Sequence, residues 1–180
     1  FTGVNPATTG TDGIAEITFT SSSSTGDSPD VVQANYNSGA VTQNITLPLV
    51  NGAVSYYTVV PADLTPTAGD AAQTVTVTAY DQYGNTVINS DALTVSKLPA
   101  GSGAVFTPVS GWAFSASATY QFTVSDNIAE NFSIRVVKTS NTEVSGTSDE
   151  ISVSAATPAT LTEVTGGGAI TVGTDRLLRV

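Results

Sequence analysis

The sequence predicts an all-β chain built as tandem β-sandwiches, and three observations carry the prediction. Residues 73–80, QTVTVTAY, alternate Val75, Val77 and Ala79 against Thr74, Thr76, Thr78 and Tyr80. Period-two alternation of β-branched residues is a strand with one buried face. Next, no segment of useful length carries the i, i+3, i+4 apolar stripe that a helix needs. Finally, landmarks recur: Phe19-Thr20 and Phe122-Thr123 lie 103 residues apart, Ile45 and Ile151 lie 106 apart, and Asp70 and Asp175 lie 105 apart. A repeat of about 100 residues is the size of one two-sheet sandwich.

Taken in order, residues 1–13 read as a Thr/Gly-rich loop and residues 13–20, GIAEITFT, as an alternating strand. A long polar turn follows over 21–30. Residues 31–36 and 43–50 read as a hairpin around Asn37-Ser38-Gly39, closing one unit. Asn51-Gly52 is a short hinge. A strand over 55–60 ends at Pro61, since proline cannot donate to a ladder. The 65–70 connector, TPTAGD, leads into the strand at 73–80, and Asp81-Gln82-Tyr83-Gly84-Asn85 stops that strand with turn residues. Further strands are predicted over 92–98, 104–109, 117–124, 132–138 and 150–155, the last two closing a second hairpin. The Pro99–Gly103 run, PAGSG, is a turn. The expected inward set is Val75, Val77, Ala79, Phe122, Ile134, Val136, Ile151 and Val153.

Hydrophobic residues make up 40% of the chain, enough for a packed core, whereas charged residues are only 11%. Ser, Thr, Asn and Gly fill the gap, which suits sheet exteriors better than surface helices. Five basic against fifteen acidic residues give a net charge of −10. No basic patch exists for nucleic acid or an anionic membrane. The absence of Cys and His excludes disulfides and thiolate or imidazole metal sites, and with them the usual nucleophile–base pairs. No apolar run approaches the roughly 20 residues of a membrane helix. The start at Phe1 in mid-pattern is expected of a mature or excised piece.

The strand closed by D-x-Y-G-N at 81–85 resembles the second strand and following turn of bacterial immunoglobulin-like repeats, the modules of invasin/intimin-type adhesins and other prokaryotic surface proteins. The run TDGIAEITFTSS from Thr11 is a second point of resemblance. The resemblance implies tandem immunoglobulin-like β-sandwiches. On this reading residues 1–52 are the later strands of one unit, 53–155 a complete sandwich of about seven strands, and 156–180 the first strands of another. One larger two-sheet domain is the alternative.

Carboxylate pairs capable of glycosidase chemistry are Asp126 with Glu130 and Asp149 with Glu150. All four fall in polar loops, where Asp and Glu serve as solvated turn residues, so no enzyme is expected. Calcium needs only hard oxygen ligands. Its candidates are Asp63 and Asp70, with Asp12 or Asp27 approaching in space, and Asp81 with Asn85 bracketing their turn. No dense D-x-D-x-D loop exists, and the plainer expectation is that Asp81 caps its turn while Asn85 takes left-handed backbone. Trp112, with Phe106, Phe114 and Tyr120 nearby in sequence, is expected in the core or as a lid over one end. Exposed, it would serve sugar stacking, with Tyr83 as a weaker candidate. Tyr56 and Tyr57 are expected between adjacent units. Asn44-Ile45-Thr46 and Asn131-Phe132-Ser133 match the N-glycosylation pattern, which arises readily by chance in such a chain.

The resemblance implies a non-catalytic structural or adhesive segment at the cell surface, acting as a stalk or spacer, with neighbouring repeats, copies of itself, or a surface protein or glycan as partners. Alternatives are a self-assembling subunit of a surface layer, sheath or filament that completes its partial units by strand exchange, and a carbohydrate-binding module. No cofactor is required on any of these readings; calcium is the one candidate.

Overall fold

The computed structural model describes residues 10–15, 19–21, 23–24, 30–36 and 41–157. The predicted unit at 156–180, the turn at 37–40, Asp27 and residues 16–18 of the predicted strand at 13–20 lie largely or wholly outside that set, and the described residues of that segment, 13–15 and 19–20, form no strand. The described residues contain strands and turns and no helix. Strands β1 (Asp30–Tyr36) and β2 (Val41–Leu47) form an antiparallel two-stranded sheet in which Val32 faces Ile45 across the pair.

Eight further strands build a sandwich. They are β3 (Tyr56–Pro61), β4 (Gln73–Tyr80), β5 (Leu93–Leu98), β6 (Val105–Thr107), β7 (Thr119–Ser125), β8 (Asn131–Lys138), β9 (Asn141–Thr147) and β10 (Ile151–Ser152). One sheet has the order β3-β4-β7-β6. In the other, β5 pairs with one edge of β8, while β9 and β10 succeed each other along its other edge. Counting β9 and β10 as one interrupted strand, the sheets read A-B-E-D and C-F-G, the strand order of an immunoglobulin constant-type sandwich.

The alternation seen in the sequence decides which face is buried. Val75, Val77 and Ala79 of β4 are fully buried, opposite Ile134 and Val136 of β8 and Ile151 of β10, also fully buried. Phe122 and Val153 join them, so every residue of the expected inward set lies in the core. A row of aromatic contacts crosses it: Tyr57 to Phe114, Tyr120, Phe122, Phe106 and Trp112, with successive ring centroids 5.6–6.5 Å apart. Such pairs each add about 0.5–1.5 kcal/mol beyond area burial.

Three details differ from the sequence reading. Pro61 is the buried last residue of β3, paired with Val75, rather than a residue beyond the strand. The strand β9 was expected as loop. It carries one buried apolar side chain, Val144, so alternation gives it almost no signal. The second hairpin is therefore β8–β9 around Thr139 and Ser140, with β10 resuming the edge after Ser148. Finally, the chain leaves β3 and crosses to the other sheet. The amides of Ser152 and Ser154 donate to the carbonyls of Leu64 and Pro66, and Ala68 donates to the Ser154 carbonyl, a short parallel ladder that closes this edge of the sandwich.

Candidate functional site

The turn after β4 is where the sandwich meets the chain that precedes it. Asp81 is 1% exposed. Its Oδ1 accepts the N–H groups of Tyr83 and Asn85, both at 2.9 Å, and its Oδ2 accepts the Gly52 N–H at 3.0 Å. The Asn85 side-chain amide donates to both oxygens. Burial alone would raise the carboxyl, but these donors, the Asn85 side chain first, outweigh it and hold Asp81 down at about 2. Gly84 supplies the left-handed residue of the turn, at φ 86°, which corrects the expectation for Asn85. Asn85 instead faces its amide toward Asp81 and the Ser23 carbonyl, 2.8 Å away.

Three more contacts bind the incoming segment. The Asn51 side-chain amide donates to the Thr86 carbonyl, the Ser55 N–H donates to the Tyr80 carbonyl at 2.7 Å, and Tyr56 stacks on Tyr80 with centroids 5.2 Å apart. Asn51 and Gly52, read as a short hinge, are hydrogen-bonded to the sandwich. A groove of about 420 Å³ opens beside them, lined by residues 52–55 with Gln82, Asn141, Glu143 and Val144.

Tyr57 is 3% exposed and sits inside the sandwich on Phe114, which corrects its expected place between units. Its hydroxyl faces Asp91. Burial first, then the Asp91 charge, pushes the phenol well above its usual range, and neither Tyr57 Oη nor Asp91 Oδ2 makes a regular hydrogen bond. The other Asp91 oxygen is 2.9 Å from Lys138 Nζ. Tyr56 is 39% exposed at the joint itself.

The calcium candidates separate. Asp63 Oδ1 accepts the Thr65 N–H at 2.8 Å and Asp70 Oδ2 accepts the Thr67 N–H at 2.7 Å, each closing its own turn. Asp12 does the same for Ile14. Both oxygens of Asp81 are taken by N–H donors, which are the wrong sign of partner for a cation. Among the described residues no three acidic side chains gather as a metal group.

Trp112 is half-buried, edge-on to Phe106, with its indole N–H bonded to the Pro108 carbonyl at 3.0 Å. Tyr83 is 63% exposed on the turn. Asp149 and Glu150 are exposed, and Glu150 accepts from the Asn131 side chain at 3.1 Å. That bond engages the Asn131 amide that glycosylation would need, whereas the Asn44 amide oxygen accepts from Gln33. Asp126, expected in solvent, is 9% exposed instead.

No protein-family model matches the sequence, nor does any curated protein. Among solved structures, the chain is similar to domains 4 and 5 of the S-layer protein SbsC, at 20% identity and TM-score 0.43, over 70% of this chain and 66% of that one. It is similar to SbsC domains 1–6 at 20% identity and TM-score 0.42, over 72% of this chain and 17% of that one. Similarity to the D00-D0 domain of intimin is 14% in identity with TM-score 0.43, over 67% of this chain and 61% of that one. The chain thus spans less than two thirds of the length of each of these structures.

Proposed function

We propose that this chain is a non-catalytic structural segment of an extracellular surface protein, in which tandem immunoglobulin-like units act as a stalk or spacer. The observation that supports this best is the clasp at the joint. Gly52, Asn51 and Ser23 from the incoming chain are all held by the Asp81–Asn85 turn or the residue after it. A spacer must transmit position from one unit to the next. A flexible linker fails at that, whereas a linker hydrogen-bonded to the following sandwich loses its freedom. The D-x-Y-G-N motif that carries the family resemblance is the same motif that makes the clasp. The proposed holding force is hydrogen bonding, with no calcium required.

Small-angle scattering on the whole chain tests this, with Asp81→Ala alongside and each sample measured with and without chelator. Expected are an extended particle indifferent to chelator and a more flexible one in the variant. A compact profile for the wild type would remove the stalk reading. A profile that changes with chelator would restore calcium to the joint. Growth of the particle with concentration would favour the self-assembling subunit instead.

A further inference from the structure

The two carboxyls at the other end of the sandwich remain unexplained by a spacer role. Asp126 immediately follows β7 and Glu130 immediately precedes β8, so one short turn presents both. Asp126 Oδ1 accepts the Ile128 N–H at 2.8 Å, while its Oδ2 is buried with no donor. Glu130 Oε1 accepts the Gly103 N–H, and Asp126 Oδ1 lies 3.1 Å from where a Cβ on Gly103 would stand, so the two carboxyls crowd the same glycine. Around the pair, the Gly69 N–H donates to the Asp126 carbonyl and the Val153 N–H to the Glu130 carbonyl, both in ordinary hydrogen bonds.

Two ionised carboxylates this close, one of them buried, repel strongly. The nearby charges favour only Glu130 and leave Asp126 uncompensated. Lys97, from β5, acts on Glu130, but its ammonium donates to the carbonyls of Ser102 and Ala104. Asp70, from the 66–71 loop, lines the same small cavity as Asp126 and adds another negative charge. One proton between the carboxyls satisfies the orphaned oxygen and removes one charge.

We propose that Asp126 and Glu130 hold a single proton between them, and that this carboxyl–carboxylate bridge is a pH-responsive latch fastening the β7–β8 turn to the turn at 99–104. The proton resides on Asp126: burial first, with the Glu130 carboxyl adding, raises Asp126, whereas the Gly103 N–H, with the Asp126 and Ser102 side chains and the Lys97 charge, lowers Glu130. A raised carboxyl contributes stability that is present below its unfolded value and lost as pH rises through its folded value; a lowered one contributes stability lost as pH falls. The latch is therefore tightest in mild acid and loosens as pH rises. The chain contains no His. No side chain of ordinary pKa thus changes charge between about pH 5.5 and 8 to imitate the effect.

The test does not depend on the spacer reading. Carboxyl-carbon NMR titration and thermal unfolding from pH 4 to 8 are run on the whole chain, with Asp126→Asn and Glu130→Gln. Expected in the wild type are an Asp126 resonance that titrates above the ordinary carboxylate range and a melting temperature that falls as pH rises. In Asp126→Asn the amide is a permanent donor to Glu130, so that fall disappears. In Glu130→Gln the like charge is gone, and Asp126 moves back toward its ordinary value. An Asp126 resonance titrating in the ordinary range, or the same fall in Asp126→Asn as in wild type, would overturn the latch. The wild-type titration decides the matter even if a variant fails to fold.

Discussion

Asp81 concentrates the residue-scale logic. Its carboxylate is worth keeping buried because four N–H groups from Gly52, Tyr83 and Asn85 converge on it. A depressed carboxyl contributes stability above its unfolded value of 3.8 and loses it as pH falls toward about 2. Asp81→Asn, which keeps the shape but exchanges an acceptor for a donor facing donors, is therefore expected to lower the melting temperature at pH 7. It should also flatten the acid-induced loss between about pH 4 and 2; melting curves at pH 7, 4 and 2.5 check both. Gly146 makes the second residue-scale prediction. A Cβ there would overlap the Tyr57 carbonyl and press on Tyr57 Cβ at 3.1 Å, because β9 and β3 approach backbone to backbone where the two sheets meet. Gly146→Ala is expected to destabilise by at least about 1–3 kcal/mol, the range for overpacking a closed core, read as a lower urea midpoint with unchanged slope. Neither effect is legible locally. Asp81 is visible as a turn residue, but the partner that makes it a clasp is 29 residues away in sequence.

At the scale of elements, legibility follows how many buried side chains a strand contributes. In β4, three buried residues alternate with four half-exposed or exposed ones, and the pattern fixes both its existence and its register against β3 and β7. In β9 only Val144 is buried, and Gly146 sits where a side chain would collide, so neither propensity nor period announces a strand. Composition separates the sheets in the same way. The strands β3, β4, β6 and β7 contain no charged residue, whereas Lys97, Arg135, Lys138 and Glu143 all fall in the other sheet. The Thr-rich outer face of the first sheet is held instead by cross-strand polar pairs such as Gln121 Nε2 to Thr76 Oγ1, 3.1 Å. Register has a direct test. Val77→Asp places an unpaired charge at a fully buried site and is expected to cost more than about 4 kcal/mol, while Thr74→Asp, three residues earlier on the exposed face, should stay within about 0.5 kcal/mol. Comparable losses in the two variants, measured by denaturant unfolding, would mean that the strand faces the other way.

For the whole molecule the question is whether the entering chain moves with the sandwich or apart from it. The tethers at Gly52, Asn51 and Ser55 differ in kind. Ser55 donates to the Tyr80 carbonyl and so extends the β3–β4 ladder, whereas Gly52 depends on one side chain, Asp81. Hydrogen exchange separates them, because an amide opens either with the sandwich or by local release of its own partner. In the wild type both amides are expected to exchange slowly. In Asp81→Ala the Gly52 amide should lose its protection while Ser55 keeps a protection close to that of Val77 in the core. Slow exchange at Gly52 in the variant would mean that something other than the clasp orders the joint. Loss at both amides together would make the joint a frayed end of β3. Selective loss at Gly52 alone places the stiffness of the linker in the D-x-Y-G-N turn.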